Sequence, residues 1–185
     1  MSDAPPNPIT TATFEAGLRE LEAIVKEMAA HVDRPIIFAL SSPSARAEAS
    51  PADLMSWTEG RALVATGSAF APITYKGVTY AVAQVNNAML YPGLGLGAIV
   101  ARARRISDGM FAAAAGAVSS LVAVRQPGAS LLPHIDDLRS VSATVAMAVV
   151  EAAEAEGLAT VKVGDIVQQV QDAMWQPEYG HVEAS

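Results

Sequence analysis

The segment 35–44, with the sequence PIIFALSSPS, constrains the fold more than any other part of the chain. Ile36 to Leu40 is a continuous apolar run with β-branched and aromatic members, which is typical of a central parallel strand buried on both faces. The run ends at once in Ser41-Ser42-Pro43, small residues that favour a tight turn. Because open α/β sheets hold their ligands at the carboxyl ends of the strands, Ser41 and Ser42 are candidate binding residues.

A second polar turn lies at 84–95, with the sequence QVNNAMLYPGLG. Asn86 and Asn87 place two adjacent carboxamides, each both donor and acceptor, just before a turn into a helix. Such groups can hold a carboxylate, a hydroxyl or a nicotinamide amide without adding charge. The residues alone leave open an Asx-turn, in which these side chains only cap backbone amides.

Capping and periodicity predict an alternation of helices and strands. A helix is expected from Phe14, with Thr13 as its N-cap, and a short helix begins after the cap Ser50. Lys76-Gly77 predicts the tight turn of a β-hairpin that lies as a flap over the domain. The predicted elements are helices at 14–31, 51–59, 94–105, 108–124, 135–156 and 163–175, strands at 36–40 and 62–66, a hairpin at 73–80 and a loop at 81–92.

Gly93-Leu94-Gly95-Leu96-Gly97 is not a dinucleotide-binding fingerprint. The spacing is G-x-G-x-G rather than G-x-G-x-x-G, and a loop that contains Pro92 precedes it instead of a strand. The glycines therefore predict close packing of a helix against its neighbour.

Composition excludes several classes of function. Lys and Arg number 12 against 19 Asp and Glu, for a net charge of −7, so no basic stripe is available for nucleic acid. The longest apolar stretch, 110–124, is shorter than the roughly 20 residues that cross a bilayer. There are no cysteines, and the Pro-rich start lacks the features of a signal peptide. We expect a cytoplasmic protein that binds neither nucleic acid nor membranes, with a disordered tail at residues 1–12.

Between the two polar turns lies Trp57–Leu63, with the sequence WTEGRAL. In this order the three segments resemble the C-terminal, nucleotide-binding half of the malic enzymes, which oxidise and decarboxylate malate with NAD or NADP. The resemblance runs from about His31 to Ala159 and returns weakly at 174–179. It implies an α/β fold over residues 13–185, the C-terminal part of a Rossmann-like parallel sheet with a β-hairpin flap and several C-terminal helices.

The resemblance also assigns site residues. The family has a Gly-Asn-Asn motif whose asparagine contacts malate, which implies substrate binding by Asn86 and Asn87, although Val85 replaces the glycine here. The Ser-Asn-Pro motif, whose asparagine lies against malate and the nicotinamide, matches Ser41-Ser42-Pro43. Ser42 is thus expected at the substrate, and Ser41, Ser42 and Asn86 at the cofactor. A serine is shorter than asparagine and lacks its amide fork, so recognition through Ser42 weakens or uses a water.

Malic enzymes further need a lysine base, a tyrosine acid and three carboxylates on a divalent metal. By resemblance, all of these come from sequence N-terminal to the matched region. One hypothesis is therefore a stand-alone or truncated NAD-binding portion that is inactive by itself. A second is a degenerate partner that associates with itself or with a full-length malic enzyme through exposed apolar faces. A third, an unrelated small α/β ligand-binding protein, conflicts with the ordered motifs.

Overall fold

The computed structural model describes residues 11–176. Its contacts divide the chain into two compact units, Met1–Val85 with Val124–Leu131, and Asn86–Ala123 with Leu132–Ser185. The single domain expected over residues 13–185 stays a prediction. Of the predicted tail, residues 1–10 lie outside the described part, and the first helix already begins at Thr11.

The first unit is built on a three-stranded parallel sheet. Its strands are β1 (Ile36–Ala39), β2 (Leu63–Thr66) and β5 (Ala83–Gln84), in the spatial order β1-β2-β5. Ile36 pairs with Leu63 and Ala65 pairs with Ala83. Among the described residues this unit contains two α-helices, α1 (Thr11–His31) and α2 (Pro51–Trp57). Val25 and Leu54 from these helices pack with Ala39 and Val64 of the sheet in one apolar cluster.

The exposure of β1 corrects one prediction. As expected of a half Rossmann sheet that ends at this strand, β1 is an edge strand with β2 as its only neighbour among the described residues, but it lacks the burial on both faces that its apolar run predicts. Ile36 and Phe38 on one face remain about half exposed, at 54% and 52%, and Leu40 just beyond the strand is also exposed. Ala39, on the opposite face, is buried against the helices. An apolar run shows that a strand can pack against apolar neighbours, and within the described part of the chain only one face of β1 is covered.

A second correction concerns residues 81–92, which were predicted as a loop. They contain β5 and a short 3₁₀ helix at Asn87–Met89, and α3 already begins at Tyr91. β5 has only two residues, too few for an alternating pattern to stand out in the sequence.

The predicted hairpin is confirmed. β3 (Ile73–Tyr75) and β4 (Val78–Tyr80) pair in antiparallel register. Lys76 and Gly77 both have positive φ, 47° and 81°, as a tight two-residue hairpin turn requires.

The WTEGRAL motif forms the connection between α2 and β2. The buried Thr58 hydroxyl donates to the carbonyl of Leu54 at 2.7 Å and accepts from the amide of Ala62 at 3.1 Å. Gly60 has a φ of 81°, and a Cβ there would lie 2.8 Å from the Tyr75 ring, so glycine is needed for both reasons. The motif is therefore explained by the fold of the first unit.

The second unit is helical. Its helices are α3 (Tyr91–Val100), α4 (Asp108–Ser120), α5 (Leu138–Ala155) and α6 (Ile166–Ala173). Leu94, Met110, Val145 and Val149 form the centre of its core. Within residues 11–176 no helix has the length and apolar character required to cross a membrane.

The glycine-rich segment packs as predicted. Gly93 and Gly97 lie on the face of α3 that meets α5, where a Cβ would come within 2.6 Å of the backbone carbonyls of Ser142 and Ala146. A Cβ at Gly95 meets nothing within 4 Å. The four-residue spacing of Gly93 and Gly97 therefore lets two helix backbones approach closely.

Candidate functional site

The candidate site of the first unit is the carboxyl edge of its parallel sheet. β1 and β2 end at Ala39 and Thr66, and their two loops are joined by the Gly67 amide, which donates to the Ala39 carbonyl at 2.9 Å. A Cβ on Gly67 would overlap the carbonyl oxygen of Leu40. Glycine at this position therefore brings the two loops together.

Ser42 lies on this edge and is exposed. Its hydroxyl oxygen accepts a hydrogen bond of 3.1 Å from the hydroxyl of Ser68, in the loop that follows β2. The peptide bond between Ser42 and Pro43 is cis. Sequence reasoning did not single out Ser68, although the small residues of Thr66-Gly67-Ser68 directly after a strand are the signal that could have found it.

Ser41 is bound to a carboxylate of its own loop. Its hydroxyl donates to Oε1 of Glu48 at 2.5 Å, and its backbone amide donates to Oε2 at 3.2 Å. The hydroxyl bond from Ser41 holds the pKa of the Glu48 carboxyl below its ordinary value, so Glu48 is ionised at neutral pH. Because a serine has one hydroxyl hydrogen, Ser41 can meet a ligand only as an acceptor.

Asn86 and Asn87 are the first residues of the second unit, and their side chains differ in what they do. Oδ1 of Asn86 accepts from the amide of Ala88 at 2.9 Å and caps the 3₁₀ helix, which is the Asx-turn that the sequence left open. Asn87 is exposed, and its carboxamide makes no hydrogen bond to the residues that the structure describes. Both donors and both acceptor sites of Asn87 remain for a ligand.

The hydrogen-bonding groups at the sheet edge suit the nicotinamide of a dinucleotide better than its phosphates. Ser42 and Ser68 present uncharged hydroxyls, which suit the neutral carboxamide of a nicotinamide. The ionised Glu48 on the same loop opposes a phosphate placed beside Ser41. In the described part of the chain, no three His, Asp or Glu side chains come close enough together to bind a metal ion.

A parallel sheet with polar loops at its carboxyl edge places the chain in the class of α/β proteins with a Rossmann-like sheet. The family model described as "Malic enzyme, NAD binding domain" matches residues 9–154. The chain therefore belongs to the malic enzyme family, in the region of its NAD-binding domain.

Individual relatives agree with this assignment. The chain is 55% identical over 163 residues to NAD-dependent malic enzyme 3 of Bacillus subtilis, which covers 88% of the chain and 29% of that enzyme. It is 44% identical over 160 residues to the NAD-dependent malic enzyme of Sodalis glossinidius, covering 85% of the chain and 28% of the relative. The crystal structure of malic enzyme from Pyrococcus horikoshii superposes with a TM-score of 0.59 at 31% identity, over 75% of the chain and 29% of that structure. The chain thus spans less than a third of the length of these relatives.

Proposed function

We propose that this chain is the nicotinamide- and substrate-facing part of an NAD-dependent malic enzyme, which converts malate to pyruvate. The observation that carries the proposal is the carboxyl edge of the parallel sheet, where Ser42 and Ser68 present uncharged hydroxyls, in a chain of this family. NAD is the proposed cofactor because the relatives are named NAD-dependent. Cytoplasm is the expected location.

Each site residue has a proposed part in this reaction. Bound NAD supplies the acceptor for the hydride that leaves malate. Ser42 donates its hydroxyl hydrogen to an oxygen of the nicotinamide carboxamide or of malate, and Asn87 donates from its amide to a malate oxygen. Ser41 accepts from the carboxamide, and the free amide hydrogens of Asn86 face substrate or cofactor.

The metal carboxylates, the lysine base and the tyrosine acid are proposed to come from malic-enzyme sequence outside the matched region. This rests on the family resemblance, which places those groups N-terminal to the segments matched here. We therefore expect no malate-dependent reduction of NAD by this chain alone in the presence of Mg²⁺ or Mn²⁺.

Complementation tests the proposal. The purified chain is mixed with the N-terminal part of the Bacillus subtilis relative, malate, Mn²⁺ and NAD, and the formation of NADH is followed by absorbance. Turnover is expected in the mixture and in neither component alone. Turnover that follows the isolated chain through purification would contradict the proposal, because the catalytic groups would then have to lie within this chain.

Exposed apolar residues favour a second role, in association with a malic-enzyme polypeptide or with another copy of the chain. β1 exposes Ile36 and Phe38, and α1 exposes Ile24 and Met28. Unpaired strand edges and apolar faces of this kind favour association. Purification of the chain alone or with a bound malic enzyme separates this role from that of an independent domain.

A further inference from the structure

We propose that Ser68 is a positioning residue, which fixes the Ser42 hydroxyl as a hydrogen-bond donor toward a ligand oxygen. The inference rests on the proposed function, because it concerns the same edge of the sheet. It adds a residue that the family resemblance does not assign, and it states which hydrogen-bonding partner Ser42 selects.

The loop after β2 holds Ser68 in a defined place. The hydroxyl of Thr66, a fully buried residue, donates to the backbone carbonyl of Ser68 at 2.8 Å. The neighbouring Gly67 amide is tied to the Ala39 carbonyl, at the end of β1. Ser68 is therefore anchored to both strands, and its own side chain is half-buried.

The hydrogen bond from Ser68 leaves the hydroxyl hydrogen of Ser42 available for a ligand. A serine hydroxyl has one hydrogen and two lone pairs. The Ser68 hydroxyl uses its hydrogen on the Ser42 oxygen, which occupies one lone pair of Ser42 and leaves the Ser42 hydrogen unused. Accepting one hydrogen bond also makes a hydroxyl a stronger donor, by about 10–30% per bond in a chain of such bonds.

The unused Ser42 hydrogen favours an acceptor atom on the ligand. An oxygen of the nicotinamide carboxamide and a carboxylate or hydroxyl oxygen of malate share this chemistry. Without Ser68, the Ser42 hydroxyl could rotate and present a lone pair instead, so the orientation would no longer favour an acceptor.

Affinity measured by NMR tests the inference without relying on activity. The ¹⁵N-labelled chain is titrated separately with nicotinamide mononucleotide and with malate, and the shifts of the Ser42 and Ser68 amides are followed. The variants are Ser68→Ala, Ser42→Ala, the double variant and Ser68→Thr, which keeps the hydroxyl. Ser56→Ala on the exposed face of α2 is the matched control, and the dispersion of each spectrum reports folding.

We expect Ser68→Ala to weaken binding about 3- to 10-fold, the loss of one neutral hydrogen bond. Ser68→Thr and Ser56→Ala should bind like the parent chain. Because Ser68 acts through Ser42, the double variant should bind no more weakly than Ser42→Ala. Whichever of the two ligands shows this pattern provides the acceptor oxygen.

Three results would overturn the inference. Additive losses in the double variant would mean that Ser68 acts by another route. Parent-like binding by Ser68→Ala would remove its role and leave the proposed function intact. If neither ligand shifted the Ser42 amide of the parent chain, the proposed function at this edge would fail together with the inference.

Discussion

The two adjacent asparagines have different roles. The side-chain oxygen of Asn86 accepts a hydrogen bond from the Ala88 amide. The side chain of Asn87 is exposed and makes no hydrogen bond within the described residues. A side chain that already stabilises its own turn affects both folding and binding when it is removed. A side chain without such a bond affects binding alone. Substituting each asparagine in turn therefore separates a role in folding from a role in binding.

We predict that Asn87→Ala lowers kcat/KM for malate in the complemented enzyme by about 10- to 150-fold, the value of a hydrogen bond to a charged group. Its melting temperature should stay unchanged. Asn86→Ala should lower malate kcat/KM and also stability, by about 1 kcal/mol for a lost cap. Asn86→Asp keeps the capping oxygen and serves as the stability control. Loss of NAD affinity with unchanged malate kcat/KM in Asn87→Ala would assign this side chain to the cofactor.

The Glu48 carboxylate predicts a pH dependence of stability. Its pKa is lower in the folded chain than in the unfolded one, mainly because the Ser41 hydroxyl donates to it. The stabilisation is therefore fully present above the unfolded pKa, near 4.3 for glutamate, and is lost as the pH falls through the folded pKa. Urea unfolding midpoints are measured at decreasing pH, starting from about pH 6. Below the unfolded pKa of about 4.3, the midpoint should decline less steeply in Glu48→Gln than in the parent chain. Identical pH profiles for the two chains would contradict the role of this pair.

At the scale of elements, the packing of α3 against α5 depends on two glycines. Gly93 and Gly97 meet α5 at distances that leave no room for a Cβ, and the contact atoms include backbone carbonyls. A backbone cannot move aside as the end of a flexible side chain can. The separation of these two helices is therefore set by the absence of side chains at two positions on α3.

We predict that Gly97→Ala destabilises the chain by about 1–3 kcal/mol, because overpacking outweighs the gain in helix propensity. Gly95→Ala is the matched control in the same helix, where a Cβ meets open space. It should stabilise the chain by up to about 1 kcal/mol. Urea denaturation of both variants measures the difference, and a stabilising Gly97→Ala would mean that the two helices can separate without cost.

For the molecule as a whole, the notable surface feature is the exposed apolar side chains on the edge strand of the first unit. Phe38 on β1 is 52% exposed, and the outer edge of this strand has no partner within the described residues. Natural proteins protect such edges with charges, lysine above all. Ile36 and Phe38 supply none.

We predict that the chain self-associates at tens of micromolar, roughly the range where exposed edges aggregate. Phe38→Lys should shift the light-scattering mass toward the monomer, because a lysine blocks edge pairing. Ile99→Lys, on the exposed face of α3, is the control for adding a charge at an apolar surface position. A monodisperse monomer of the parent chain would refute the prediction, and equal effects of both variants would place the contact elsewhere.

Signals between near neighbours in the sequence were sufficient for most elements. Ser50 caps α2 through the amide of Asp53, and Lys76-Gly77 turns the hairpin, as each local pattern predicts. Family motifs located Ser42 and the two asparagines as candidates, and the chain does belong to that family. All of these depend on residues that lie within a few positions of one another, where propensity and hydrogen-bonding chemistry act directly.

The remaining features depend on contacts between residues that are distant in the sequence. Ser68 reaches Ser42 across 26 residues, and Gly67 is required only because the Leu40 carbonyl lies against it. The exposure of β1 could not be read from its apolar run, since a strand's sequence is the same whether or not a neighbour covers it. β5 is defined by its pairing with β2 rather than by any pattern of its own. Such contacts form when separate segments pack together, and a local pattern carries no record of which segment will lie beside it.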